Sequence, residues 1–444
     1  MLATENSSAV MPELAERWLE ARRRSDELFG LVRPDSLYER PIPERHRIIF
    51  YIGHLEAFDW NLLHERGLGL KSFHPEFDRL FAFGIDPVGG GLPTDQPSDW
   101  PSIELVRGYV AAVRVALDQG LQNMNVDSCC GNGEEHPLDT LLHVAIEHRL
   151  MHAETLAYML HQLPIHKKIA PGNPPEISTP PVVSRMVEIP AGVAMLGLPR
   201  RSGTFGWDNE FESHAVNVPA FGIDQYKVTN REFLEFIAAG GYESRALWGD
   251  EAWKWKSAQE VSRPAFWRRV GGEWFYETMF AEVPLPLDWP VYVSQAEAKA
   301  YAKWAGKLLP TEAEWHRAAY GTPQGEERAY PWGNDAPSPR LGNFDFASWN
   351  PAPVNAFPEG RSAFGVDGML GNGWEWTSTA FAPFPGFQAF SFYPGYSADF
   401  FDGKHFVMKG GSSRTAASML RRSFRNWFQT HYQYVYAGFR CVRR

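Results

Sequence analysis

The sequence predicts a helical bundle over residues 1–165 and an α+β domain over residues 186–444, joined by a proline-rich linker at 166–185. Three observations carry that division. Within the first third, four stretches repeat apolar residues at steps of three and four, the period of one helical face. The string HKKIAPGNPPEISTPPVVS then breaks the pattern with prolines and few apolar residues, as interdomain linkers do. Beyond it, strand-like pieces are short, glycine and proline separate them, and Trp, Phe and Tyr are dense, which fits an α+β domain held by aromatic packing.

In chain order, Leu14, Trp18, Leu19, Leu28 and Leu31 place a first helix at about 12–32, with Arg22, Arg23 and Arg24 on its wet side. PIPERHRIIFYIGHLEAFDWNLLHERG opens with Pro43, suited to a first helical turn, and closes at Gly67. Its stripe of Phe50, Tyr51, His54, Phe58 and Leu62 turns His54 inward. A third helix follows Asp99-Trp100-Pro101, where Ile103, Val106, Val110, Val113 and Leu117 keep helical spacing. The fourth is LDTLLHVAIEHRLMHAETLAYMLHQL, residues 138–163, with Leu141, Ala145, His148, Met151, His152, Thr155 and Met159 in one stripe. Four amphipathic helices over this length make a four-helix bundle.

His148 and His152, at i and i+4, can point at one atom between helices, the arrangement of metal sites in bundle cores. That helix by itself leaves a second reading open, two core histidines satisfied by polar neighbours. His54 adds a third inward imidazole. Three imidazoles leave open positions on a metal, which suits catalysis better than a closed structural site. Zinc is the first alternative metal, and the spacing is that of the H-E-x-x-H zinc peptidase helix. Arg149 stands where that motif keeps its general-base glutamate, which disfavours a peptidase. His64, His136, His143, His161 and His166 share no face with the trio and read as surface or structural residues.

Between helices two and three, FHPEFDRLFAFGIDPVGGGLPTDQPSDWP has the length and composition of a functional lid or interface loop. NVDSCCGNGEEHP, before helix four, is polar and carries the adjacent pair Cys129–Cys130. In the second half, MVEIPAGVAMLG and HAVNVPAFGIDQYKV supply short strands. Helices are expected at 230–239 after the Thr229 cap, at 294–305, and at 312–319 after Pro310-Thr311. Residues 320–440 read as loops and short strands.

A net charge of −10 argues against nucleic acid as a main partner, because phosphate needs excess Lys and Arg. No apolar run is long enough to span a bilayer, and MLATENSSAVMPEL lacks the basic-then-apolar pattern of a signal peptide. Three cysteines, two of them adjacent, make no disulfide framework. A cytoplasmic setting is the expectation.

Several strings carry a family resemblance. GIDQYKVTNREFLEFI, WPVYVSQAEAKAYAKWAGKLLPTEAEWHRAAYG, YPWGN, GMLGNGWEWTS and AGFRCVRR resemble the formylglycine-generating-enzyme (sulfatase-modifying-factor) domain, which implies a C-type-lectin-like fold for 186–444. That family's oxidase uses a cysteine pair near its C-terminus, and only Cys441 stands here, which argues against formylglycine generation. The first half resembles the DinB-like four-helix bundle, with GHLEAF around His54 and H-x-x-x-H at His148 and His152. The two together resemble the ergothioneine-biosynthesis sulfoxide synthases, an architecture shared by the selenoneine synthases. The resemblance implies that His54, His148 and His152 bind Fe(II), with O2 as co-substrate, to join sulfur or selenium to C2 of the hercynine imidazole. It also implies that Asn426 and Trp427 of SFRNWF bind the trimethylammonium group, a cation suited to an indole face and an amide oxygen. In FSFYPGYSADF, Tyr393 takes the place of the family's catalytic tyrosine, and Tyr396 that of the second tyrosine three residues on, where a phenol can deliver a proton.

Two departures bear on the substrates. The common ligand helix reads H-E-x-Q-H, and its glutamine contacts hercynine; Met151 occupies that position here. Relatives that use γ-glutamylcysteine carry a S-Y-Y-E-A stretch and arginines, whereas LFAFGIDPVGGGLP has neither, with only Arg79 before it. An unpaired buried carboxylate is costly, so the donor expected is less anionic: a selenosugar selenolate, a thiol sugar or cysteine. Arg414, Arg421 and Arg422 remain as alternative carboxylate anchors, and a zinc-dependent DinB-type thiol transferase as an alternative enzyme class.

Overall fold

The structure, a computed structural model, describes residues 2–82, 92–123, 137–172 and 182–444. Cys129–Cys130, His136, most of the Gly-Pro loop after Ala82 and residues 173–181 of the expected linker lie outside the described residues. The chain forms two compact units, Met1–Gly172 and Asn173–Arg444.

In the first unit, α1 (Leu2–Gly30), α2 (Ile48–Leu63), α4 (Ile103–Gln122) and α5 (Leu138–His161) are the four long helices, with a short α3 (Pro75–Leu80) between α2 and α4. Helix α1 starts well before residue 12, since ATENSS has no apolar period to announce a helix. Helix α2 is shorter at both ends than its sequence pattern. Residues before it turn instead, with Arg45 N–H bonded to Ile42 O and Ile48 N–H to Glu39 O at 3.0 and 3.1 Å. Residues 165–169 lie against the bundle, where Arg33 N–H meets Lys167 O and Ile169 N–H meets Leu31 O.

Helix α5 departs most from a one-sided stripe. Twenty of its 24 residues are buried, so it is the central helix of this unit rather than one wall of it. Its apparently polar side is buried as an ion network. Arg149, 1 % exposed, donates to Asp59 Oδ2 (2.6 Å), Leu55 O (2.9 Å) and Glu56 Oε1 (3.1 Å) on α2, and to Ser25 Oγ on α1 (3.3 Å). Trp18 Nε1 donates to Asp59, and Arg114 of α4 reaches Glu56. Arg22 is not on a wet face as its place in the sequence implied. It is buried, stacks on Trp18 at 3.8 Å and donates to Asp118 of α4 at 2.6 Å.

The loop after α2 is anchored by α3. Asp78, buried, accepts from Trp60 Nε1 (3.2 Å), Tyr109 Oη (2.7 Å) and Ser72 Oγ (2.5 Å), and Asn61 bonds its carbonyl. His74 caps this helix by accepting Phe77 N–H. That anchorage delivers Phe81 to α2.

The second unit begins with β1 (Met186–Ile189), β2 (Gly192–Leu196), β3 (His214–Val218) and β4 (Phe221–Asp224), then α6 (Asn230–Ala238) and α7 (Asp250–Ala258). Next come β5 (Trp267–Val270), β6 (Glu273–Glu277), β7 (Glu282–Pro284), α8 (Gln295–Trp304), α9 (Glu312–Tyr320) and β8 (Trp374–Ala380). The chain ends with α10 (Gly395–Ala398), β9 (His405–Lys409), β10 (Asn426–Gln429), β11 (Ala437–Gly438) and β12 (Val442–Arg443). The sheets run β1-β4-β12, β2-β3, β5-β6-β7 and β10-β9-β8-β11. Three helices start where the sequence signals them, each with a reciprocal capping box: Thr229 with Glu232, Ser294 with Glu297, and Thr311 with Glu314. Its core gathers Trp315 and Ala319 of α9 with Ile223, Val366, Met369 and Leu420. Buried ion pairs brace the long loops: Arg440 with Glu375 and Arg425 with Glu312, each guanidinium bidentate.

Removing one partner of a buried pair strands the other charge. Arg149→Leu should therefore lower stability by about 3–5 kcal/mol, read as a fall in the urea midpoint of unfolding.

Candidate functional site

Three imidazoles converge between α2 and α5. His54 is held on α2 one turn after Phe50, and its Nδ1–H donates to the carbonyl of Phe81 at 2.7 Å. That fixes the tautomer and leaves the Nε2 lone pair facing α5. His54 Nε2 lies 3.3 Å from His152 Nε2, and the ligating atoms of His54, His148 and His152 all fall within 4.8 Å of one another. The rings are 3 %, 4 % and 5 % exposed. Aromatic faces set their orientation: His148 stacks on Phe58 at 3.4 Å and 10°, and His54 on Phe50 at 4.9 Å and 19°.

Burial drives all three pKa values down, to about 4 for His54 and well below the usual imidazole range for the other two. Neighbouring imidazoles and Arg149 push the same way for His148, and Arg45 adds to the effect on His152. All three rings are thus neutral at pH 7, the form that ligates a metal. Two imidazole nitrogens about 2.1 Å from a common first-row metal stand about 3.0 Å apart at a right angle and about 3.4 Å apart at the tetrahedral angle, and the 3.3 Å between His54 and His152 falls within that span. Nδ1 of His148 and of His152 is buried with no hydrogen-bond partner among the described residues. The residues fit a divalent metal, and among the described residues this is the one group of three metal-ligating side chains. Met151, also on α5, is half-buried one position before His152.

In the second unit the structure gathers the other residues singled out from the sequence. Trp427, on β10, stacks on Phe381 at 4.1 Å and 7°, and meets Tyr396 edge-on at 5.4 Å. Tyr393 is half-buried with its ring 5.5 Å from that of Tyr396. Tyr396 is buried and lies flat on Trp207 at 3.9 Å. Asn426 Oδ1 accepts the backbone N–H of Trp427 at 2.8 Å. Phe381 and Trp207, the walls behind the indole and the phenol, gave no sign in the sequence, because stacking across loops has no period.

The three arginines offered as carboxylate anchors are already engaged. Arg421 forms a bidentate pair with Glu210, Arg422 donates to Glu327 at 2.9 Å, and Arg414 donates to Phe346 O and stacks on Trp349 at 3.7 Å. Cys441 is buried with its thiol pushed up by burial and by Asp224, the opposite of a reactive thiolate. Asp208, in the turn after Trp207, is buried too, and burial raises it to about 6 against hydrogen bonds that favour its ionised form.

Comparison with known proteins bears on both units. The DinB superfamily matches residues 17–156, and the family described as Sulfatase-modifying factor enzyme 1-like domain matches residues 174–444. The chain is similar to the hercynine oxygenase of Mycolicibacterium smegmatis, 36 % identical over 377 residues and 83 % of each chain. It is similar to that of Mycolicibacterium thermoresistibile at 37 % over 344 residues, 76 % of this chain and 74 % of the relative. It matches ergothioneine biosynthesis protein 1 of Neurospora crassa at 28 %, over 92 % of this chain and 55 % of that one. The fold class is thus a DinB-type helical unit joined to a sulfatase-modifying-factor-type, C-type-lectin-like unit. Within that class, the chain belongs to the hercynine oxygenase family. Among the described residues no helix is long and apolar enough to cross a membrane.

The sign of the Asp208 effect fixes a pH window. Its folded value lies above the ordinary carboxylate value, so its contribution to stability is complete below about pH 4 and is lost as pH rises through about 6. Asp208→Asn should remove that loss, making the variant more stable than the parent by about 1–3 kcal/mol at pH 8 and equal to it near pH 4, in urea titrations across that range.

Proposed function

We propose that the protein is a non-heme Fe(II)- and O2-dependent enzyme that forms a carbon–chalcogen bond at C2 of the hercynine imidazole, with a selenosugar as the chalcogen donor. The observation that carries the reading is the convergence of three buried, neutral imidazoles on two helices. His54, His148 and His152 would hold the metal. Fe(II) bound there supplies redox chemistry toward O2 through the coordination positions that three ligands leave open.

The chain's own residues do the rest. The Phe81 carbonyl keeps His54 in the tautomer that presents Nε2, and the Phe50 and Phe58 faces keep His54 and His148 from rotating. Burial of the trio limits water, which protects an oxygen-reactive centre from side reactions. The face of Trp427, braced by Phe381, with the Asn426 amide beside it, takes the trimethylammonium group, a cation with no N–H to donate. The Tyr393 hydroxyl, Oη, holds or delivers the proton that the reaction moves, and Tyr396 backs it. Met151 lines the hercynine side of the ligand helix in place of a polar contact.

Support for a weakly anionic donor comes from the engagement of Arg414, Arg421 and Arg422 with groups of their own unit. A second reading keeps the same chemistry with a sulfur donor, cysteine or γ-glutamylcysteine, and the relatives named for ergothioneine biosynthesis favour it.

Two measurements decide these points. With Fe(II), O2 and hercynine, the protein should form a product with selenoglucose and less or none with γ-glutamylcysteine, cysteine or thioglucose; preference for γ-glutamylcysteine selects the sulfur reading, and no product from any donor overturns both. His148→Ala should weaken Fe(II) binding by about 100-fold or more, beyond the 10–100-fold cost of outer-shell changes, in equilibrium dialysis of the folded protein. Retention of zinc with anaerobic thiol transfer would point to the transferase class instead.

A further inference from the structure

The turn Trp207–Glu210 is joined to both sides of the aromatic cluster. Asp208 and Asn209 are fully buried, as is Ser397, the residue directly after Tyr396. Ser397 Oγ donates to Asp208 Oδ1, and Asn209 Nδ2 donates to Ser397 Oγ at 3.0 Å. The backbone N–H of Phe390, three residues before Tyr393, also favours the Asp208 carboxylate. The carboxylate therefore touches the tyrosine segment at both its ends. Trp207, its chain neighbour, supplies the floor on which Tyr396 lies.

The same turn reaches the other side of the cluster. Arg425 Nη1 donates to Asn209 O at 3.3 Å while its guanidinium pairs with Glu312 and stacks on Phe384 and Phe381. Phe381 is the ring behind Trp427. Glu210 completes the anchorage through Arg421 and Ser423.

We propose that Asp208 is a positioning residue that staples the Tyr393–Tyr396 segment at both ends and so sets its two phenols against Trp427. What matters is an acceptor oxygen in this place, since the Ser397 hydroxyl is a fully buried donor whose proton Asp208 receives. A neutral amide of the same shape keeps that acceptor; alanine does not. For its catalytic consequence the proposal rests on the reading of Tyr393 and Trp427 above, but its structural half does not.

Hydrogen exchange on the whole protein tests that half. Peptides covering 388–400 should exchange about tenfold faster in Asp208→Ala and in Ser397→Ala, while the strand at 374–380 keeps its protection and Asp208→Asn stays at the parental rate. Unchanged exchange at 388–400 in both alanine variants overturns the staple, and loss of protection throughout the unit in both makes the pair generally structural and overturns it as well. In turnover of hercynine, Asp208→Ala should lose about tenfold in kcat with KM for hercynine within about threefold, and Asp208→Asn should restore kcat. An asparagine variant as slow as the alanine variant overturns positioning in favour of a role for the charge. If the parent does not turn over hercynine, the functional reading fails while the exchange result stands on its own.

Discussion

Arg149 is the constraint on which the helical unit depends. A guanidinium buried to 1 % exposure must be neutralised, and here α2 supplies Asp59, Glu56 and the Leu55 carbonyl to its two Nη groups while α1 supplies Ser25. Those contacts fix the rotation of α2 about its axis and its height against α5. His54 is the residue before Leu55, and His148 the residue before Arg149, so the rotation that satisfies the ion network also sets the separation of the imidazoles. A shift of one helix along the other would break both sets of contacts together.

The second unit solves a different problem. Its loops are long and its strands short, so backbone ladders alone cannot hold it. Bidentate arginine pairs replace them: Arg440 also donates to the carbonyls of Asp224, Gln225 and Asp367, and Arg425 to those of Asn209 and Ala382. One guanidinium thus ties three or four chain segments with directional bonds, which a leucine in the same place could not do. The aromatic cluster around Trp427 is precise because its neighbours are fixed in this way, although the segments that carry it are irregular.

How much of this was legible in the sequence follows from what leaves a period. His54, His148 and His152 were found because each falls in an apolar stripe at helical spacing, and the capped helices of the second unit because a capping box is a local signal. Arg22 was misplaced for the complementary reason: a buried arginine looks like a solvated one until its partner, Asp118, 96 residues away, is known. Helix α3 and the Phe81 carbonyl escaped because a six-residue helix has no stripe and a backbone acceptor has no side chain. Asp208 gave no signal at all, since its meaning lies in Ser397, 189 positions later.

The electrostatics of the trio carry the argument one step further. Besides burial and the neighbouring imidazoles, Arg149 acts on all three rings and Arg45 on His152, each lowering the pKa. Among the described residues no carboxylate joins the imidazole cluster. A dication held by three neutral ligands in a buried, aromatic-walled site would keep its full charge. Such a site gains most from a co-ligand that arrives as an anion at the coordinating atom itself. A thiolate or selenolate does this. A metal held by these three imidazoles would therefore suit a donor that is anionic at the chalcogen, as a thiolate and a selenolate both are.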